Sequence, residues 1–290
     1  MSDPDQDLSG CLTINGDLII KAKGKVNING PTTVTGNVVV DKTDIESLSS
    51  SSLSTIGGDL KIQYCNLLQS ISLTSISNVT NVNLLSLGQL QSLSIGTGVT
   101  SVETVSITDM TSLSDLSGIN FNTVLNLTLA TNKALRTFKS DLQSINKTLI
   151  ISTNGVGNMS VSLPKLEQLY DGTINGVGSF DVPSLKKVSK LRFAENNNMV
   201  SFKAANLTEV VKGPKDSSAS LSFTKNPKLT MVSFPGVKEI GGDLTIANNT
   251  ALRNITGFPK LESVFGALVL GGNFTKSVTN ELFTLNVPSD

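Results

Sequence analysis

Histidine and tryptophan are absent from this sequence, and tyrosine and cysteine occur 2 times each. Without histidine there is no Cys/His metal cluster, no Ser–His or Cys–His nucleophile pair, and no side chain that titrates near neutral pH unless it is strongly perturbed. Two cysteines, Cys11 and Cys65, do not make a disulfide framework. Charged residues are only 16% of the chain, against roughly 25% in an average soluble protein. Lys+Arg and Asp+Glu both number 23, so no net field draws the chain to nucleic acid or to an anionic membrane. No run approaches the ~18 apolar residues of a membrane span. Residues Met1–Asp7 are polar and acidic, unlike a signal peptide, and the C-terminus has no apolar tail of the GPI kind.

Ser, Thr and Asn supply the polarity that charge does not, as in Ser47–Ser54 and Glu195–Asn198. That composition suits strands joined by uncharged polar turns. A repeat organises it. Ile56-Gly-Gly-Asp-Leu-Lys-Ile62 returns as Ile240-Gly-Gly-Asp-Leu-Thr-Ile246, with looser copies beginning at Ile14, Val34 and Val264. Taking the first apolar residue as an anchor places coils at Ile14, Val34, Ile56, Ile76, Val102 and Val124. They continue at Ile145, Leu169, Val188, Val210, Ile240 and Val264. The mean spacing is about 23 residues, within the range of solenoid repeats. The expected fold is all-β, a β-solenoid of about twelve stacked coils. It forms one elongated domain over residues 1–290, with a ragged N-terminal edge at 1–13 and a truncated C-terminal edge at 275–290.

Each coil shares an internal grammar. A short strand reads apolar–any–apolar, as in Leu60/Ile62, Leu127/Leu129, Leu149/Ile151, Leu191/Phe193 and Leu244/Ile246. A side-chain period of two turns both apolar residues inward and the middle one outward. Three residues later Asn recurs, at Asn132, Asn154, Asn196, Asn226, Asn249 and Asn273, with Cys65 and Met110 in that place elsewhere. An amide offers two donors and an acceptor, so a buried Asn can satisfy backbone groups left open where a strand turns, and Asn can bond to Asn from coil to coil. The second half of the coil carries Pro in Val161-Ser-Leu-Pro-Lys-Leu166 and Phe180-Asp-Val-Pro-Ser-Leu185, suited to a bend between short strands.

The stretch Ile240-Gly-Gly-Asp-Leu-Thr-Ile-Ala-Asn-Asn-Thr-Ala-Leu252, continued by Phe258-Pro-Lys-Leu-Glu-Ser-Val-Phe-Gly-Ala-Leu-Val-Leu270, resembles the fungal GPI-anchored cell-wall organisation and sporulation proteins. The resemblance covers most of the chain, including Leu8-Ser-Gly-Cys11. It implies a receptor-L-domain-like, leucine-rich-repeat-like solenoid. It also implies an extracellular, N-glycosylated wall or plasma-membrane protein without catalytic activity, supporting cell-wall organisation or spore-wall assembly. Partners would be wall components or other surface proteins. Members carry a signal peptide, a cysteine upstream of the one matching Cys11, a C-terminal cysteine pair, a Ser-rich stalk and a GPI signal. None of these stands in this sequence, so membrane attachment would come only through an anchor not encoded here. The chain is either a fragment or shortened gene model, or a protein that has lost its address.

Sequons give N-glycosylation candidates at Asn78, Asn126, Asn146, Asn158, Asn206, Asn248 and Asn254. Their number is near what composition alone produces, so placement between inward apolar positions carries the argument. Asn273 also begins a sequon but holds a ladder position, where burial would block modification; Asn126, Asn146 or Asn206 should be occupied before it. Asp17, Asp59 and Asp243 could suggest the paired carboxylates of a glycosidase. All three occupy the same turn position of repeated units, and a catalytic pair does not repeat. No catalytic residue, cofactor-binding residue or metal ligand is expected. The rival reading is a carbohydrate-active β-helix enzyme or a wall-polysaccharide-binding module. Against the enzyme, the outward strand positions are mostly uncharged; against sugar stacking, they lack Trp and Tyr.

Overall fold

The computed structural model describes residues 1–4, 7–96, 98–211 and 219–274. The chain divides into two compact units, Met1–Leu142 and Gln143–Asp290. The described residues are nearly all β, with a single 3₁₀ turn at Gly155–Gly157 and no α-helix. Each unit is a stack of parallel coils, a β-solenoid.

In the first unit the apolar–any–apolar strands pair in register. Leu18, Val38, Leu60, Val82, Val105 and Leu127 form one inward row, and Ile20, Val40, Ile62, Leu84, Ile107 and Leu129 the next. In the second unit Ile151, Ile174, Phe193, Phe223, Ile246 and Leu270 form the corresponding row. The anchors align likewise: Ile14 with Val34 and Ile56, and Ile145 with Leu169, Val188, Val210, Ile240 and Val264. The fourth anchor is an exception. Val79, not Ile76, pairs with Ile56. Ile76 is buried three residues earlier, and its N–H donates to the carbonyl of Leu73 to close a turn. It fills the inward pre-anchor place held one coil earlier by Leu53, so two inward apolar residues three apart were one step out of phase.

Every coil bends twice. A first turn follows the main strand, closed by Leu68 N–H to Cys65 O, Leu90 N–H to Leu87 O, Met199 N–H to Asn196 O and Leu229 N–H to Asn226 O. A short strand of a second parallel stack comes next: Gly24–Asn27, Ile45–Ser50, Ser70–Leu73 and Ser92–Ile95 in the first unit. Its counterparts in the second unit are Met159–Ser162 with Val177–Asp181, and Ser201–Lys203 with Met231–Ser233. The second turn often holds Pro at its second position, as in Leu166 N–H to Leu163 O across Pro164 and Leu185 N–H to Val182 O across Pro183. Proline's fixed φ suits that position and its missing N–H is not needed there.

The interior is apolar and continuous within each unit. In the second it is rich in phenylalanine. Phe193 and Phe223 stack with centroids 5.1 Å apart and 10° between planes, Phe202 lies 4.6 Å from Phe193, and Phe234 lies 5.0 Å from Phe258.

The first turn depends on a backbone form that side chains resist. Lys42, Tyr64, Ser86, Asp109, Thr131, Thr153, Glu195, Lys225 and Asn248 all have φ between 51° and 60°. In each coil this residue immediately precedes the ladder position. Non-glycine residues pay roughly 1–2 kcal/mol for this left-handed form. Here their N–H groups are drawn onto the next coil: Lys42 to Gln63 O, Tyr64 to Leu85 O, Lys225 to Ala247 O and Asn248 to Gly271 O.

Behind it stands the amide ladder. Asn132, Asn154, Asn196, Asn226 and Asn249 are buried. Asn226 Nδ2 donates to Asn249 Oδ1 at 3.0 Å and to Phe193 O at 3.1 Å, while its Oδ1 accepts from the N–H and Nδ2 of Asn196, each at 3.0 Å. Asn132 Oδ1 accepts from Met110 N–H, and Val177 N–H donates to Asn196 Oδ1. Cys65, Leu87, Met110 and Val177 occupy the inward place in coils without the amide. Asn273, expected to be a sixth rung, is instead exposed, with its carbonyl accepting from Arg253 Nη1. The expected C-terminal edge at 275–290 lies outside the described residues.

Replacing Asn226 by Ala strands Asn196 N–H and Phe193 C=O in the interior. Asn226→Ala should therefore lower stability by about 2–5 kcal/mol, while Asn197→Ala, next to the Asn196 rung but exposed, should change it by less than about 0.5 kcal/mol. Denaturant midpoints of the two variants check this, and equal midpoints would show the ladder carries no load.

Candidate functional site

The outward side of the main sheet is built from the alternate residues of the same strands, so its chemistry is laid out in columns. One column begins with Asp17, Asn37, Asp59 and Asn81. Asp17 Oδ1 accepts from both the N–H and Nδ2 of Asn37, at 2.8 and 3.0 Å. Asn37 Oδ1 accepts from Asp59 N–H at 2.8 Å, and Asp59 Oδ1 accepts from Asn81 Nδ2 at 2.7 Å. In the second unit Asp243 Oδ1 accepts from Ala267 N–H at 2.8 Å. Each carboxylate thus serves the coil after it. None of the three faces a second carboxylate across a cleft, as glycoside hydrolysis needs.

This chain of acid and amide side chains was not foreseen from sequence, although its signal is present. Glycine immediately precedes Asn37 and Asp59 because the oxygen of the previous coil comes in there. A Cβ on Gly36 would lie 2.3 Å from Asp17 Oδ1, and one on Gly58 would lie 2.3 Å from Asn37 Oδ1. The repeated Gly-Asx pair is a statement about the neighbouring coil, which a reading of one coil at a time does not reveal.

The remaining outward chemistry is mild. In the first unit Asn83, Ser106 and Thr128 stand side by side on paired strands, flanked by Asn81, Thr104 and Asn126. In the second unit Arg192 is tied to Asp171 at 2.6 Å and to Thr173 Oγ1 at 2.9 Å. An open depression of about 480 Å³ is lined by Thr208, Glu209, Lys238, Glu239 and Phe265, but Glu209 is paired with Lys187 at 3.1 Å. Asp7 has its carboxyl lowered by the hydroxyl and backbone N–H of Ser9, in a fully exposed turn. Among the described residues no group of three or more acidic, His or Cys side chains is placed to hold a metal.

Of the glycosylation candidates, Asn78, Asn146, Asn158, Asn206, Asn248 and Asn254 are exposed. Asn126 is half-buried within strand Thr123–Ala130, with Nδ2 3.4 Å from Thr104 Oγ1. Exposure of Asn273 removes the steric reason for expecting it to stay unmodified.

No family model matches the chain, and no solved structure matches it. Among known proteins it is 30% identical over 270 residues to a cell surface GPI-anchored protein of Arthroderma benhamiae, spanning 92% of this chain and 67% of that protein. The chain belongs to the family of fungal GPI-anchored cell-surface and sporulation proteins. Within this family it is also 30% identical over 166 residues to sporulation-specific protein 2 of Saccharomyces cerevisiae, spanning 56% of this chain and 31% of that one. Sporulation-specific protein 22 of the same yeast is 29% identical over 159 residues, 53% of this chain and 32% of its own length. The chain therefore spans about two thirds of the first relative and about a third of the two sporulation proteins.

Both cysteines of this family member are free thiols. Cys65 is buried on the ladder column with Sγ 3.3 Å from Gln63 O, while Cys11 is half-buried with Sγ 3.4 Å from Thr13 O. A thiol reagent should label Cys11 in native protein and reach Cys65 only after denaturation. Mass mapping of the labelled peptides checks this, and native labelling of Cys65 would mean that the third coil opens.

Proposed function

We propose that this protein is a non-catalytic, extracellular scaffold of the fungal cell wall, supporting wall organisation or spore-wall assembly. The observation that carries the reading is the 270-residue match to a cell surface GPI-anchored protein. The chemistry of the site agrees with it. Asp17, Asp59 and Asp243 bond from coil to coil, and the sheet face presents hydroxyls and amides rather than an acid–base pair. Its partners on this reading are wall components or other surface proteins. No helix of the described residues is long and apolar enough to cross a membrane.

The test is genetic and enzymatic together. In a fungus lacking its own copy, the chain supplied with secretion and GPI signals should restore resistance to wall-perturbing dyes, and Asp59→Asn and Asp243→Asn should restore it equally. Both variants keep the oxygen that accepts the inter-coil bond. Turnover of glucan or chitin by the wild-type chain, lost in a well-folded Asp→Asn variant that also failed to rescue, would point to an enzyme instead.

Secreted from such a host, the chain should also carry several N-glycans, with Asn146 and Asn206 among the occupied sites. Endoglycosidase treatment and peptide mapping read this directly; a chain bearing no glycan would break the assignment to the extracellular side.

A further inference from the structure

Deepening the proposed wall role, and resting on it, we infer that the outward face of the fourth to sixth coils binds an uncharged polysaccharide. Asn83, Ser106 and Thr128 form its centre and Asn81, Thr104 and Asn126 its flank.

Three observations carry this. The six residues lie on strands paired in register, Asn83 beside Ser106 and Ser106 beside Thr128, so like groups recur at the inter-strand spacing of about 4.8 Å. All six are half-exposed, yet the three central side chains make no hydrogen bond to another described residue, while the flank is already engaged through Asn81 to Asp59 and Asn126 to Thr104. The centre therefore offers free donors and acceptors on a fixed backbone. Finally, within these three coils neither column contains a charge, although Asp59 and Lys61 of the third coil pair directly beside Asn81 and Asn83 and exposed Glu103 adjoins Thr104.

Those features select the ligand class. A surface with a lysine at its edge, Lys61, but none among its six residues offers little to neutralise a run of phosphates or uronic acids. It also lacks the aromatic and arginine anchors on which protein interfaces depend. Hydroxyl and amide groups do match the hydroxyls of a neutral sugar, each able to donate and accept. A flat periodic face meets a flat periodic polymer at several residues at once, so weak contacts sum through multiplicity. Without rings to stack on, binding rests on hydrogen bonds and should change little with salt, unlike an ion-paired contact.

One consequence concerns Asn126. A glycan there would cover this face, so in secreted protein Asn126 should be the sequon left empty while exposed sequons are filled.

The experiment uses the whole chain made in bacteria, where no glycan is added, incubated with insoluble β-1,3-glucan and with chitin particles. Wild type should sediment with at least one of them at both low and high salt. Ser106→Glu and Thr128→Glu place an unpaired charge under the polymer and should weaken binding by about tenfold or more. Thr245→Glu, at the equivalent outward position in the second unit, should bind as wild type, and unchanged unfolding midpoints would show that all three variants are folded. The inference is overturned if wild type binds neither polymer, if all three variants bind alike, or if Asn126 proves fully glycosylated in secreted protein. A Ser106→Glu chain that binds the polymer as wild type would overturn it as well, and if that chain still restored wall resistance the scaffold function would be left standing.

Discussion

Everything in this protein depends on backbone hydrogen bonds that run from one coil to the next. A strand of the main sheet has no hairpin partner within its own coil; its N–H and C=O groups point along the stack and are satisfied by the coils on either side. Those bonds hold only in one register, and the side chains that fix it are of two kinds. Apolar rows such as Leu18 to Leu127 fill the interior, and slipping by one residue would turn each of them outward. Polar rungs mark the ends of the strands: buried amides such as Asn196, Asn226 and Asn249 on one side, and the Asp17–Asn37–Asp59–Asn81 chain on the other. In the interior the rungs are costly to leave half-made, because each amide satisfies two backbone groups of the preceding coil at once.

The same dependence explains which features were legible in the sequence. Apolar–any–apolar strands, anchors and the amide at a fixed offset are properties of one coil, so they stand out when coils are compared. Ile76 was mistaken for its neighbour anchor Val79 because two inward positions lie three apart and both are apolar. The pairing of glycine with an incoming Asx oxygen was hidden, since its two halves sit on different coils about 20 residues apart. So was the left-handed residue before each rung: Lys42, Tyr64, Thr131 and Glu195 share a backbone form and no side-chain type. Asn273 met the sequence rule for a rung, yet it is exposed. The rule describes a residue's offset from its strand, and offset alone does not bury the side chain.

The functional surface was legible mainly as an absence. A chain with no histidine and little charge announces that nucleophilic and metal chemistry have few tools, and Asp17, Asp59 and Asp243 are spent on architecture. What that reading did not supply was contrast along the sheet. Only pairing of the strands shows that the neutral stretch through Asn83, Ser106 and Thr128 is contiguous, and that its hydrogen-bonding groups are left over after the protein's own needs are met. A scaffold of this type keeps its reactive residues busy holding coils together and meets its surroundings with groups that do nothing structural.

The column of left-handed residues has a bearing on how such a stack comes into being. Lysine, tyrosine, threonine and glutamate do not adopt φ near +55° by preference, so a coil standing alone would relax out of the turn. At Lys42, Tyr64, Ser86, Asp109, Glu195, Lys225 and Asn248 a bond from that N–H to a carbonyl of the following coil holds it in place. Shape is therefore conferred by contact, and a coil becomes itself only when laid against one already formed. Assembly of this kind is templated growth: slow to begin, because the first two coils must meet without a pattern to copy, and easy to continue. In evolutionary terms a whole coil is the natural unit of gain or loss, since duplicating one adds a template together with the surface that accepts it.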